Sequence, residues 1–440
     1  MRLLYYSALA LVNTFLEKCC MKYVICAKID IICVEIVQKL SYNHLITAKG
    51  IIMIQEIRGA NLVLPTGIME NATLRFEDGI ITYIGNGSLP TADRVLDADG
   101  GYVMAGFVDI HCHGGGGYDF MDATPDGMLE ISKHHLYHGT TTLFATTMTD
   151  TYEAIEAVLS RYRELYERGE LLTLAGVHLE GPWLSPLQCG AQSSEKMAKP
   201  NAQMLRRLVE KYPFIKRVTA APEVEGGMEL GSVGAYLGLN MSMGHTDADF
   251  DTVDKARKNG YTALTHLYSG MTGVFRRNAY RTAGAVEAGL YFDDLTVEVI
   301  ADGKHLPKGL LQLIYKCKGA DKICLITDAM RGAGSPDGTE TVLGRLSDGV
   351  PCIIEDGVAK LYDRQSFAGS VATTDRLLAV MHSLAEVELP EISKMLSATP
   401  ARLMGLFDRG SLEVGKRADI VILNKDLKIK NVIFKGETVK

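Results

Sequence analysis

The stretch Leu172-Thr173-Leu174-Ala175-Gly176-Val177-His178-Leu179-Glu180 decides the fold. A short apolar run that stops at a carboxylate reads as a buried strand whose far end opens onto something polar. Working outward, seven further apolar strand candidates lie at 103–110, 140–147, 216–221, 240–244, 262–267, 295–300 and 322–327. Helical stretches at 126–137, 152–168, 202–211, 249–258 and 306–316 fall between them. Eight βα units predict an α/β fold built on a closed parallel (β/α)8 TIM barrel. No equal-length repeat, low-complexity tract or linker divides the segment, so the barrel is expected to be one cooperative unit.

Flanking segments follow a different pattern. Short strand-like runs at 57–64, 72–77 and 80–84 are separated by Pro65-Thr66-Gly67 and Asp78-Gly79, the latter a strong hairpin signal. Runs at 418–423 and 431–434 repeat the style, so strands from both ends of the chain are expected to form one small β-sandwich domain. The division is then 53–102 with 406–440 for the β domain and 103–405 for a hydrolase barrel, an economical use of 440 residues.

Composition narrows the function classes. Apolar residues make up 47% and charged residues 22%, with 44 glycines, as suits a globular α/β enzyme with many tight turns. A formal charge of −7 and no Lys/Arg stripe argue against a nucleic-acid partner, so an anionic ligand must meet a local basic cluster. Nine cysteines without a repeated short spacing read as free thiols in a reducing compartment, hence the cytoplasm.

Residues 1–52 differ, with Cys19, Cys20, Cys26 and Cys33 and no glycine before Gly50. The apolar stretch at 3–16 is shorter than the roughly 20 residues of a membrane span, so no membrane partner is expected. Its small-residue pair, Ala8 and Ala10, lies inside the stretch where a signal peptidase site would follow it. The preferred reading is an N-terminal extension outside the fold, ahead of a dispensable helix and of a secretion signal.

In a parallel barrel, chemistry gathers at strand C-termini. Here the first strand ends in His111-Cys112-His113, the third in Glu180, the fifth in His245, the sixth in His266, the seventh in Asp302 and His305, and the eighth in Asp328. His111 and His113 point to the same side of an extended strand. Alone, His-x-His is more often structural than ligating. A carboxylate closing a buried strand needs a cation or hydrogen bonds, and Glu180 with His245 and His266 makes a His2Glu set suited to Zn2+ or Fe2+. Asp328 is the leading general base, against a plainer reading as a helix N-cap.

The wording around these residues resembles the amidohydrolase superfamily, and within it the N-acetylglucosamine-6-phosphate deacetylases. The resemblance is carried by Ala105-Gly106-Phe107-Val108-Asp109-Ile110, His178-Leu179-Glu180-Gly181-Pro182-Trp183, Gly244-His245-Thr246-Asp247-Ala248, Thr265-His266-Leu267-Tyr268, Ala301-Asp302-Gly303-Lys304-His305, Ile326-Thr327-Asp328-Ala329, Ala368-Gly369-Ser370 and Ala398-Thr399-Pro400-Ala401. It runs from about Met53 to the C-terminus.

What the resemblance implies is a deacetylase of an amino-sugar phosphate, with Glu180, His245 and His266 as metal ligands and Asp328 moving the proton. It further implies that Ala191, Gln192, Ser269, Gly270, Arg281, His305, Phe367, Ala368 and Gly369 hold the substrate. An intact His111-x-His113 suggests a second metal, so one or two divalent ions per subunit. Gln192 stands where relatives place His or Gln to polarise the acetyl carbonyl. The family's phosphate-binding Arg commonly comes from a neighbouring subunit, which implies a homodimer. After Tyr268 the chain departs from the family's Asn-Ala-Met, reading Ser269-Gly270-Met271, and adds Arg276 and Arg277 before Arg281. That loop handles the sugar phosphate, so N-acetylgalactosamine 6-phosphate stands as an alternative substrate. N-acyl amino acids on the same metal centre are a second alternative, and a non-catalytic relative a third.

Overall fold

A computed structural model describes residues 53–87 and 89–440. The extension expected at 1–52 lies outside them. Eight parallel strands form the barrel: β1 Phe107–Cys112, β2 Thr140–Thr147, β3 Leu174–Glu180, β4 Ile215–Ala220, β5 Asn240–Met243, β6 Tyr261–Leu264, β7 Thr296–Ile300 and β8 Ile323–Ile326. They pair in chain order, as expected. The ring closes just past β8, where the Asp328 N–H donates to His111 O at 3.0 Å and the Thr327 hydroxyl donates to buried Asp109 at 2.5 Å. Every residue of β1, β2, β7 and β8 is buried, which explains their mostly apolar or β-branched text, interrupted by Asp109 and His111 in β1 and Glu298 in β7.

The connecting helices begin where capping side chains allow. Thr151 accepts from Ala154 N–H ahead of helix Tyr152–Arg168, Asn201 from Met204 N–H ahead of Ala202–Lys211, and Asp249 from Thr252 N–H ahead of Phe250–Lys258. Helix Tyr152–Arg168 lays Ile155, Val158, Leu159, Tyr162 and Leu165 into the core at helical spacing.

One expected strand divides in two. Of the expected strand at 103–110, the first three residues belong to a strand Tyr102–Ala105 that leaves the barrel and pairs antiparallel with Ile420–Leu423, while Phe107 begins β1. Gly106 is the joint: a Cβ there would lie 2.6 Å from Thr141 Cγ2, so only glycine lets the chain pass between the two sheets. Both halves are apolar, and nothing in the composition marks the change of partner.

The second sheet runs Glu437–Thr438, Ile429–Phe434, Ile420–Leu423, Tyr102–Ala105, Ile54–Leu64, Gly67–Glu77, Ile80–Gly85, with Arg94–Asp97 added beside Ile54–Leu64. Asp78 and Gly79 both take positive φ, 47° and 77°, as the predicted hairpin turn requires. The sheet bends back until Ile81 exchanges backbone hydrogen bonds with Gly415 and Lys416, each 2.8 Å. This gives the sandwich-like packing expected from both chain ends, enclosing Ile57, Leu62, Leu74, Phe76, Ile420 and Ile433.

Two insertions had no counterpart in the sequence reading. A hairpin of Phe275–Arg277 and Tyr280–Thr282 follows β6, and a three-stranded sheet of Glu340–Leu343, Val350–Glu355 and Val358–Leu361 follows β8. Buried Arg331 ties the latter down, donating to both Asp122 oxygens at 2.7 and 2.9 Å and to Gly344 O at 2.7 Å. Among the described residues no helix is long and apolar enough to cross a membrane.

Candidate metal centre

The residues that the barrel ends were expected to present do converge. Glu180 closes β3 with 1% of its surface exposed, and four imidazoles surround it. Its Oε1 lies 2.9 Å from His266 Nε2, 3.3 Å from His245 Nε2 and 3.5 Å from His111 Nε2, and its Oε2 lies 3.2 Å from His113 Nε2. Asp328 Oδ1 approaches the same point from β8, 3.4 Å from His111 Nε2 and 3.3 Å from His113 Nε2. Two sets of three, His111/Glu180/His266 and His111/His113/Asp328, each bring their ligand atoms within 4.8 Å of one another.

Local backbone geometry explains how three of these side chains reach inward. His245, His266 and Asp328 each sit two residues past the last residue of β5, β6 and β8, and each has positive φ: 46°, 27° and 47°. Left-handed backbone is costly for residues with a Cβ and concentrates where a site demands it. Gly270 makes room for one of them, since a Cβ there would lie 2.8 Å from His245 Nδ1.

The remote ring nitrogens are tied down. His245 Nδ1 pairs with Gln188 O at 2.8 Å, His266 Nδ1 with Ser269 O at 3.2 Å, and His111 Nδ1 with Glu298 Oε2 at 3.0 Å. Carbonyl and carboxylate oxygens only accept, so each Nδ1 carries the proton and each Nε2 turns a lone pair toward Glu180. His113 differs, its buried Nδ1 having no partner. Three imidazole Nε2 atoms, with His113 Nε2 beside them, therefore crowd two carboxylates in a buried space, where a cation at the centre would engage every one of these atoms. The donor set fits a divalent metal.

Charge states follow from the same crowding. Burial opposes ionisation of Asp328, but the hydrogen bond from His113 and the fields of His111, His113 and His266 outweigh it and hold the carboxyl down to about 2. Burial likewise opposes charge on Glu180, and the imidazoles pull it well below the usual carboxylate range. His178 sits deeper in β3, between the Thr219 and Thr146 hydroxyls at 2.7 and 3.4 Å. Burial and the nearby His111 hold it well below the usual imidazole range, leaving it a neutral core residue.

Over the cage opens a cavity of about 220 Å³. Ala191, Gln192, Ser269, Gly270, His305, Phe367 and Gly369 line it, together with Met148, Gly190, Leu343 and Ser366, which the sequence reading missed. Gln192 is locked in orientation: its Oε1 accepts from Thr149 N–H at 2.7 Å, so its amide nitrogen turns inward and donates to Glu180 at 2.6 Å. His305 Nδ1 pairs with Asp302 at 2.8 Å, and the ring packs on Phe367 with centroids 4.7 Å apart.

Two residues expected to hold the substrate do not line the cavity. Ala368 points into the core with no exposed surface, because neighbours in the extended turn alternate and Phe367 and Gly369 take the cavity side. Arg281 is exposed on the hairpin after β6, opposite Arg276, and lines no part of the cavity. Glu298 and Arg217 are the other residues missed. Both are fully buried inside β7 and β4; for Glu298 a charge amid apolar neighbours was the available signal, whereas Arg217 follows exposed Lys216.

Known proteins resemble the chain over most of its length. The chain is 31% identical over 382 residues to an N-acetylglucosamine-6-phosphate deacetylase of Lysinibacillus sphaericus, covering 86% of this chain and 96% of the relative. It is also 31% identical over 391 residues to an N-acetylgalactosamine-6-phosphate deacetylase of Escherichia coli O157:H7, covering 88% and 99%. A solved N-acetyl-D-glucosamine-6-phosphate deacetylase from Mycobacterium smegmatis, 31% identical, superposes with a TM-score of 0.80 over 89% of this chain and all of that one. Residues 102–439 match the amidohydrolase family, whose members are metal-dependent hydrolases, and the chain belongs to that family.

Proposed function

We propose that this chain hydrolyses the N-acetyl group of N-acetylglucosamine 6-phosphate, giving glucosamine 6-phosphate and acetate. The observation that carries the reading is the convergence of Glu180, His245, His266, His111, His113 and Asp328 at the barrel mouth, beneath a small cavity. Glu180, His245 and His266 would hold the first ion, Zn2+ or Fe2+, and His111 and His113 a second. When bound, such an ion supplies a Lewis acid that brings the pKa of water near 7.

The chain's own groups account for the rest. Asp328 is ionised and reaches the centre of the cage, so it takes a proton from the attacking water at Oδ1. Water oxygen bonds to the acetyl carbon, the C–N bond breaks, and Asp328 returns the proton to the departing nitrogen. Gln192, pinned by Thr149, presents an N–H to the carbonyl oxygen as charge develops there. Phe367 and His305, their rings inclined at 54°, supply an aromatic wall for the sugar ring. A cavity of about 220 Å³ suits a small substrate, against roughly 300–1,000 Å³ for pockets that bury drug-sized ligands.

No Lys or Arg among the described residues lines the cavity, so the phosphate needs a cation from elsewhere. Arg281 of a second copy, in a cytoplasmic homodimer, would supply it. The test is acetate release from N-acetylglucosamine 6-phosphate, N-acetylgalactosamine 6-phosphate and N-acetyl amino acids, measured side by side. The highest kcat/KM is expected on the glucosamine compound. A preference for the galactosamine compound would shift the sugar, and release from acyl amino acids alone would overturn the reading.

A further inference from the structure

Inside the barrel, below the cage, a chain of buried charges runs from β4 to β1. Arg217 Nη2 donates to Glu298 Oε1 at 2.5 Å, and its Nη1 donates to Asn240 Oδ1. Glu298 Oε2 accepts twice, from His111 Nδ1 at 3.0 Å and from the backbone N–H of His266 at 3.1 Å. Neither Arg217 nor Glu298 has any exposed surface, and neither reaches the cavity. A fully buried ion pair is a weak source of stability, because desolvation offsets the attraction. Its geometry points to another role.

We propose that Glu298, paired with Arg217, is a positioning residue that turns His111 into a metal-facing ligand and so builds the seat of the second ion; the proposal rests on reading the site as a metal centre. The carboxylate meets three donors and no acceptor: the guanidinium, the His266 N–H and the His111 ring. Only a group that accepts at both oxygens satisfies all three. With its proton fixed on Nδ1, His111 directs a lone pair from Nε2 toward Asp328 Oδ1 at 3.4 Å and His113 Nε2 at 3.2 Å. The same Oε2 also holds the backbone at His266, so one carboxylate sets ligands on β1 and just past β6.

Glutamine has the same shape but accepts at one oxygen only. If that oxygen stays on Arg217, the amide N–H2 faces His111 and forces its proton onto Nε2, where it blocks ligation. The experiment is a Co2+ titration of the metal-stripped full-length chain against a competing chelator. Ion stoichiometry is measured after gel filtration, the Co2+ visible spectrum reports coordination, and circular dichroism reports folding.

Wild type is expected to bind two Co2+ per chain. Glu298→Gln is expected to bind the second about 10–100-fold more weakly, as loss of an outer partner of a ligating His does. Its first site, where only the His266 backbone and no ligand ring loses an acceptor, should weaken much less than the second, and its far-UV spectrum should be unchanged. Should Glu298→Gln fail to fold, Glu298→Asp, which keeps both acceptors but draws them back by one methylene, is expected to show the same selective weakening. Two ions bound with wild-type affinities in the folded variant, or a wild-type chain that binds only one, would overturn the proposal. Acetate release by the wild type, read in parallel, tests the proposed function separately: an inactive chain that still shows the Co2+ difference would refute the substrate and leave Glu298 in its role.

Discussion

Asp328→Asn isolates the proton-transfer role with little structural disturbance. Asparagine matches aspartate in shape and is among the few residues that accept a φ of 47° readily, so the turn after β8 is retained. Asn keeps an oxygen that can face His113 and His111, at 3.3 and 3.4 Å in the native site, but it cannot take up a proton. Both halves of the reaction lose their carrier. Positioned acid–base groups contribute about 10²–10⁴-fold, and a group serving two steps belongs in the upper part of that range. We expect kcat to fall by about 10³-fold or more, roughly 4 kcal/mol in the barrier, with KM little changed. Steady-state acetate release on the metal-loaded variant measures this, with metal analysis to show that the ion at Glu180 is retained. A metal-replete, folded Asp328→Asn with kcat within tenfold of wild type would remove Asp328 from the mechanism.

Gly270→Ala places a methyl group 2.8 Å from His245 Nδ1 and 3.1 Å from Gln188 O, on backbone at φ 56°. It should break the His245–Gln188 bond and weaken metal binding by about tenfold or more, visible in chelator competition; unchanged affinity would show that His245 is not held this way. Arg281→Met should raise KM for the sugar phosphate while leaving kcat on saturating substrate nearer to wild type. If Arg281 acts across a dimer, co-expressing Arg281→Met with Asp328→Asn should restore roughly a quarter of wild-type activity, since one intact site forms in each mixed dimer. No recovery in verified mixed dimers would place the phosphate cation elsewhere.

Much of the barrel was readable because the buried parallel strands are dominated by apolar and β-branched residues, and Thr140–Thr147 and helix Tyr152–Arg168 fall where the pattern puts them. Residues 103–110 misled because a strand that changes sheets at Gly106 looks apolar throughout. The cage was legible since Glu180, His245, His266 and Asp328 interrupt apolar text at strand ends. Glu298 and Arg217 were not, although each is a charge inside a strand: their meaning lies in facing one another across 81 residues of sequence. Nor does the sequence show that His245, His266 and Asp328 share one left-handed turn geometry, which depends on how neighbouring strand ends crowd together.

The account rests on a single ion gathered by Glu180, His245 and His266. Anomalous diffraction from crystals of the metal-loaded chain, recorded on both sides of the metal absorption edge, tests this most directly. A peak bonded to Glu180 and to the Nε2 atoms of His245 and His266 is the predicted result. An ion bound elsewhere, with these three side chains free of it, would contradict the account.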